Sequence, residues 1–185
     1  MPAWKALSEG SIIDIIAPGY GTTQTVARAF ARALEEWGWK ARFPKGMFGK
    51  DLLCAAPDEV RAKHLEAALH AEDSDAVWAL RGGYGCTRLL PYLAKMKKPK
   101  RVKPLIGFSD LTALHLHLNQ RWGWPSLHAP VGLGVAGKNL KAASRKDLEL
   151  VLSGLSGGGR SSGGGGGGFS GGGGGGGGGG ASGSW

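Results

Sequence analysis

Short apolar runs alternate with stretches of helical periodicity throughout the first 150 residues of the chain. The runs at 11–17, 76–80 and 104–108 have the composition of buried strands, while 25–37 and 57–71 repeat apolar residues at helical spacing. Strands that alternate with helices predict an α/β fold, Rossmann-like or flavodoxin-like, with a mostly parallel sheet and flanking helices. Further strands are expected at 39–43 and 125–128, and further helices end at Tyr92 or cover 109–122 and 144–155.

The distribution of glycine sets the limits of the folded part. Of the 35 glycines, 21 lie between Val151 and Trp185, mostly in uninterrupted runs. Glycine runs bury no side chain and lose the most backbone entropy on ordering. We therefore predict a folded domain over residues 1–155 and a disordered, low-complexity tail over 156–185.

Cysteine content and hydropathy exclude several classes of protein. The chain has two cysteines and no CxxC motif, no apolar leader after Met1, and no run of about 18 apolar residues. These features argue against a secreted disulfide scaffold, an exported precursor and a membrane partner. The sequence predicts a cytoplasmic protein.

The net charge of +9 raises the question of an acidic partner. The densest basic segment, KMKKPKRVK at 95–103, lies between a predicted helix and a predicted strand. An ordinary solvated loop is the favoured interpretation and an electrostatic patch the alternative, and without interleaved aromatic residues no nucleic-acid partner is expected. His115 and His117 are two apart on a predicted helix and face different sides, so no metal site and no cofactor are predicted.

In open α/β sheets, ligands bind at the carboxyl ends of the parallel strands. The turns that follow Ala17, Leu80, Phe108 and His128 should therefore share one edge of the sheet. Each carries glycine, hydroxyl or imidazole groups. A functional site is predicted at this edge.

Ser109 lies where a strand gives way to a helix, in the sequence Gly-Phe-Ser-Asp at 107–110. Such a turn lifts a side chain above the sheet and exposes the first backbone amides of the helix, which suits a nucleophile that attacks a carbonyl. Ser and Asp are also preferred as helix N-caps for purely local reasons, and the tetrapeptide alone leaves that alternative open. The G-x-S-x-G motif of α/β-hydrolases is not matched, because Leu111 stands at its second glycine.

The segment Arg-Gly-Gly-Tyr-Gly at 81–85, which we call the glycine turn, directly follows a predicted strand. Its glycines allow close approach of a ligand to the backbone, and Arg81 could pair with a carboxylate or serve structure only. Cys86, just beyond, is interpreted as a buried structural cysteine. His128 lies at a strand end as either a site residue or a hydrogen-bonded structural histidine.

These motifs in this order resemble the N-terminal domain of LD-carboxypeptidases, serine peptidases that include muramoyltetrapeptide carboxypeptidase. The resemblance rests on Ala-Pro-Gly after the first strand, the glycine turn, Gly-Phe-Ser-Asp at 107–110 and His-Ala-Pro at 128–130, and covers about residues 10–135. The family implies hydrolysis of the amide before a terminal D-amino acid, typically D-alanine of murein tetrapeptides during cell-wall recycling.

The resemblance also implies roles for individual residues. Ser109 would be the catalytic nucleophile, and the backbone amides of Asp110 and Gly83 would form the oxyanion hole. Substrate-binding roles would fall to three further residues, Arg81, Tyr84 and His128. Where the family has His-Gly-Pro, this chain has Ala129, whose methyl group puts close backbone approach there in question.

The family completes its triad with a glutamate and a histidine from a C-terminal domain, and after Leu155 this sequence contains neither residue type. A serine hydroxyl without a base is a poor nucleophile, so a truncated and nearly inactive form is expected. His128 or His115 as a substitute base is a minor alternative.

Two other functions stay open from the sequence. One is the related immunity peptidase that cleaves microcin C, and the other is a non-catalytic remnant that binds peptides. A murein peptide or similar small peptide is the expected partner, and homodimerisation is left open.

Overall fold

The computed structural model describes residues 4–49, 51–137 and 140–154, so the predicted tail lies outside the described residues. Strands and helices alternate along most of the described part of the chain. In chain order they are β1 (Ile12–Ile16), α1 (Gln24–Glu35), β2 (Lys40–Arg42), α2 (Asp58–His70), β3 (Ala76–Ala79), α3 (Leu90–Lys95), β4 (Leu105–Gly107), α4 (Thr112–Trp122), β5 (Ser126–His128), α5 (Gly132–Ala136) and α6 (Ala142–Leu152). Short 3₁₀ turns at Thr87–Leu89 and Ser109–Leu111 precede α3 and α4.

The strands described here form one sheet in the order β2-β1-β3-β4-β5, and all four pairings are parallel. This is the flavodoxin-like order, in which the chain reverses its direction of winding between β1 and β3. The predicted α/β class and parallel sheet are therefore confirmed. No helix among the described residues combines the length and the apolar character needed to cross a bilayer.

Both faces of the sheet are covered, which explains why β3 is buried along its whole length. Successive side chains of a strand point to opposite faces. Trp78 accordingly packs with Phe30 of α1 in one apolar cluster, while Val77 packs with Leu65 of α2 and Leu114 of α4 in the other. The continuous apolar sequence of this strand follows from that two-sided burial.

Local signals fix several helix ends. The Thr23 hydroxyl accepts a hydrogen bond from the Val26 amide at 3.3 Å and so caps α1. Gly123 ends α4 in the left-handed conformation, with φ +61°. The first turn of α2 contains Asp58 and Glu59, at the end of the helix where its dipole favours acidic groups.

Two features depart from the sequence-based expectations. Helix α5 was not predicted, since five residues with two glycines carry no helical period. The basic segment is not simply solvated, because Lys103 is 1% exposed and donates to the Ala68 carbonyl at 2.8 Å and to the Ser74 hydroxyl at 2.6 Å. Burial lowers the pKa of Lys103 to about 8.

Candidate active site

The turns after β1, β3 and β4 meet at the carboxyl edge of the sheet. The Tyr20 amide donates to the Gly82 carbonyl at 3.0 Å, which joins the first two turns. A methyl group built on Gly82 would lie 3.2 Å from Ser109 Cβ and 3.5 Å from its Oγ. A side chain at position 82 would therefore require Ser109 or the Phe108 carbonyl to shift by a few tenths of an ångström.

Ser109 has φ +66° and is the one non-glycine residue with positive φ in the part of the chain that the structure describes. An L-residue in this conformation is strained, and such strain is concentrated at functional sites. Phe108, not Ser109, occupies the N-cap position of the following 3₁₀ turn, and no side-chain capping bond is formed there. Ser109 therefore does not act as the helix cap that its sequence context allowed, and its exposed position matches a strand-to-helix nucleophile turn.

Gly83 adopts φ +103°, and a methyl group there would come within 2.5 Å of the Tyr20 ring. The same ring lies 5.5 Å beneath the Arg81 guanidinium. Arg81 also donates to the Gly21 carbonyl at 3.1 Å. Its side chain thus helps to hold the turns after β1 and β3 together, which agrees with the structural alternative left open for this residue.

The predicted substrate-binding residues lie at the same edge but do not all converge. Tyr84 is 45% exposed at the tip of the glycine turn. On the other side of Ser109, the rings of Phe108 and His128 meet edge to face at 6.1 Å. Phe108, His128, Ala129 and Pro130 line an open cavity of about 230 Å³.

Ala129 does not block the site with its methyl group. Its amide donates to the Gly107 carbonyl at 3.2 Å, and its side chain packs into the apolar cluster on the α1 face. The departure from the family's glycine is therefore accommodated within the core.

His115 is buried beside β4, the strand that precedes Ser109. Its Nε2 lies 3.0 Å from the Gly107 carbonyl oxygen, and burial lowers the pKa of its imidazole. Its ring lies 6.4 Å from that of His128. Nε2 donates to the Gly107 carbonyl, which leaves Nδ1 as the basic nitrogen. Nδ1 is buried and has no hydrogen-bond partner among the described residues, and this weighs against His115 as a substitute base.

Sequence inspection missed two polar groups of this edge. The Asp110 carboxylate accepts a hydrogen bond from the Cys86 amide at 2.8 Å, across from the glycine turn. The guanidinium of Arg61, in α2, is buried among the turns and donates to the Gly85 carbonyl at 3.0 Å. The pair Asp58 and Arg61, three apart on a helix, suggests an ordinary surface ion pair from sequence, so no local signal reveals the long-range contacts.

Cys86 is buried as predicted, and both cysteines are free thiols. Burial, together with the nearby Asp110 carboxylate, raises the pKa of the Cys86 thiol. A thiol held protonated in this way is a poor nucleophile. Within residues 4–49, 51–137 and 140–154, no group of three His, Cys, Asp or Glu side chains is placed to hold a metal ion.

Comparison with known proteins shows which family shares this sequence and fold. The family model of the LD-carboxypeptidase N-terminal domain matches residues 13–129. Murein tetrapeptide carboxypeptidase of Pseudomonas aeruginosa is 35% identical over 142 residues, which are 76% of this chain and 46% of that protein. The chain covers 25%, 29% and 46% of the length of three of its curated relatives, so it spans less than half of each.

Solved structures show the same fold. Muramoyltetrapeptide carboxypeptidase from Oxalobacter formigenes superposes with a TM-score of 0.67 at 26% identity, covering 77% of this chain and 48% of that one. An MccF-like protein from Bacillus anthracis superposes with a TM-score of 0.73 at 20% identity, covering 81% and 46%. The chain therefore belongs to the LD-carboxypeptidase family and carries that family's N-terminal domain.

Proposed function

We propose that this chain is the nucleophile-bearing part of a serine LD-carboxypeptidase that releases D-alanine from murein tetrapeptides in cytoplasmic cell-wall recycling. The observation that carries the proposal is Ser109, held at φ +66° at the carboxyl end of β4 and closely abutted by Gly82. The name of the Pseudomonas aeruginosa relative supports the murein tetrapeptide as substrate.

In this mechanism the Ser109 hydroxyl attacks the carbonyl before the terminal D-residue. Its proton passes to a base, and the carbonyl oxygen becomes an oxyanion that the amides of Gly83 and Asp110 stabilise. The C–N bond then breaks, D-alanine leaves with a proton on its amine, and water releases the acyl group from Ser109. Fixed amides at this point are effective because they need no reorganisation as charge develops.

The family's pattern implies a base for this mechanism, and the residues of this sequence do not supply it. The resemblance puts a glutamate and a histidine after the N-terminal domain, and residues 156–185 contain neither type. We therefore propose that this 185-residue chain binds substrate with very slow turnover. Loss of a triad base typically lowers kcat by several powers of ten, to about a millionth.

A second substrate class has one observation in its favour. MccF, a structural neighbour at 22% identity, has been solved in complex with glutamyl sulfamoyl guanosine and with aspartyl sulfamoyl adenosine. The open cavity lined by Phe108 and His128 could accept a flat group beside Ser109. An aminoacyl sulfamoyl nucleotide is therefore the alternative ligand, and a non-catalytic peptide-binding role is the third.

The proposal is tested with L-Ala-γ-D-Glu-meso-diaminopimelate-D-Ala, the 185-residue chain and its Ser109→Ala variant. Calorimetry measures binding of the peptide and of aspartyl sulfamoyl adenosine, and mass spectrometry measures D-alanine release. We expect the peptide to bind both proteins and turnover to stay close to the Ser109→Ala background. Preferential binding of the nucleotide would favour the second substrate class, and binding of neither ligand would refute the proposal. Fast turnover that depends on Ser109 would show that a base exists within the chain.

A further inference from the structure

Arg61 connects the loops that lie beneath the glycine turn. Its side chain is almost completely buried, with 2% of the residue exposed. Nε donates to the Ala56 carbonyl at 2.8 Å, and Nη1 donates to the Gly85 carbonyl at 3.0 Å and also to the Pro18 carbonyl. Nη2 pairs with Asp58. The guanidinium thus links the turns after β1 and β3 and the segment before α2, with its donors committed to the protein.

Asp110 holds the glycine turn from the opposite side. Its Oδ2 accepts from the Cys86 amide at 2.8 Å, immediately after the turn ends. Asp110 also follows Ser109 directly, so its carboxylate ties the nucleophile to the turn. The two anchors act on the same peptide group, because Arg61 donates to the carbonyl of Gly85 and Asp110 accepts from the amide of Cys86, which are the two polar ends of the Gly85–Cys86 peptide.

The turn needs such anchors because of its own composition. Three of its five residues are glycines, which restrict the backbone least of all residues. An oxyanion hole is effective only when its amides are fixed before charge develops, and an error of about 1 Å can cost about a hundredfold in rate. Hydrogen bonds from a guanidinium or to a carboxylate are stronger than neutral ones and suit this task.

We propose that Arg61 and the Asp110 carboxylate are positioning residues that fix the glycine turn so that the Gly83 amide faces the Ser109 hydroxyl. This inference rests on the proposed function and deepens it. Neither side chain touches the reacting atoms. Both act through the backbone of the turn.

Arg88 provides a matched control. Its Nε pairs with Asp58 at 2.8 Å, as Arg61 does through Nη2, but its side chain is 47% exposed. The variants Arg61→Lys and Arg88→Lys both retain the charge, and only the first loses contacts to the turn, because a lysine cannot reach all these carbonyls at once. Asp110→Ala tests the second anchor and keeps the inference open to refutation should Arg61→Lys not fold.

Two measurements separate positioning from general stability. The first is the dissociation constant for a murein peptide whose scissile carbonyl is replaced by a boronic acid, compared with that for the tetrapeptide itself. Addition of Ser109 Oγ to boron creates a tetrahedral anion that uses the oxyanion hole, whereas the ground-state peptide does not. The second is the rate at which a thiol reagent labels Cys54 and Cys86 in the folded protein, set against the unfolding free energy in urea.

In Arg61→Lys and Asp110→Ala we expect the boronate to bind at least about tenfold more weakly, with tetrapeptide affinity nearly unchanged. Thiol labelling should rise more than global unfolding accounts for, and Arg88→Lys should match the wild type in both assays. Equal losses for both ligands, or labelling that only follows global unfolding, would overturn the inference. A wild-type chain that binds neither ligand would instead refute the proposed function, and the positioning role with it.

Discussion

The amino and carboxyl edges of the same parallel sheet differ in the polar groups that they leave exposed. At the amino edge, charged side chains find partners within the fold: Arg101 pairs with Asp75 at 2.5 Å, Asp75 also accepts from the Ile12 amide at 3.1 Å, and Lys103 donates to several oxygens. At the carboxyl edge, Ser109 is strained, and Tyr84 stays 45% exposed.

This difference shows where stability and function are separated in the fold. The charges at the amino edge have partners within the fold and connect strand starts. The carboxyl edge keeps an exposed hydroxyl in a costly conformation, which the surrounding turns must enforce. Changes at the first edge should therefore alter stability alone, while changes at the second should alter stability and ligand binding in different directions.

The largest effect is expected from Gly83→Ala at the carboxyl edge. Positive φ and a methyl group 2.5 Å from the Tyr20 ring should together lower the unfolding free energy by about 3 kcal/mol. Urea denaturation measures the loss. Gly123→Ala is the control, because it has φ +61° but nothing within 4 Å, and it should cost only about 1 kcal/mol. Equal losses in the two variants would mean that the glycine turn is not tightly packed.

A smaller effect is expected from Lys103→Met at the amino edge. The change leaves Ser74 and the Ala68 carbonyl without their buried donor and should cost about 2 kcal/mol at pH 7. Ligand binding should not change.

The pH dependence of the same variant gives a sharper test. The folded-state pKa of Lys103, about 8, lies below that of an unfolded lysine, so the unfolded chain binds more protons between about pH 8 and pH 10.4. The wild type should gain stability relative to Lys103→Met as the pH rises through this window. A constant difference across the window would show that Lys103 is not buried as described.

The smallest effect is expected at Ser109 itself. Here the introduction of a glycine should raise stability, whereas the changes above lower it. Ser109→Gly should be about 1 kcal/mol more stable than Ser109→Ala, because glycine tolerates φ +66° and alanine does not. Both variants lack the hydroxyl, so the difference isolates the backbone strain. Thermal unfolding of the two proteins compares them directly, and greater stability of the alanine variant would contradict the strained geometry.

Much of the fold was predictable because its signals are local. The β-branched residues of β1, the helical spacing of α1 and the glycine that ends α4 each act within a few residues. Helix α5 was not predictable in this way. It forms where the Leu133 amide donates to the Leu80 carbonyl at 2.8 Å and Gly132 packs against Phe30, and those contacts come from distant parts of the chain.

The residues of the site also fall into those with a local sequence signal and those without one. The motif at 107–110 and the glycine turn could be recognised from sequence, and the parallel sheet brings them together at its carboxyl edge. Arg61 could not be recognised, because its partners Pro18 and Gly85 lie 43 and 24 residues away. The burial of Lys103 was hidden for the same reason, within a segment whose composition is typical of a solvated loop.

The most direct test of the account is ¹¹B NMR of the 185-residue chain with the peptide boronic acid. The account predicts a tetrahedral boron signal in the wild type and its loss in Ser109→Ala, because Ser109 Oγ is the atom that adds to boron. A boron that stays trigonal in the wild type, or a tetrahedral signal that persists in Ser109→Ala, would contradict the claim that Ser109 is a nucleophile facing a preformed oxyanion hole.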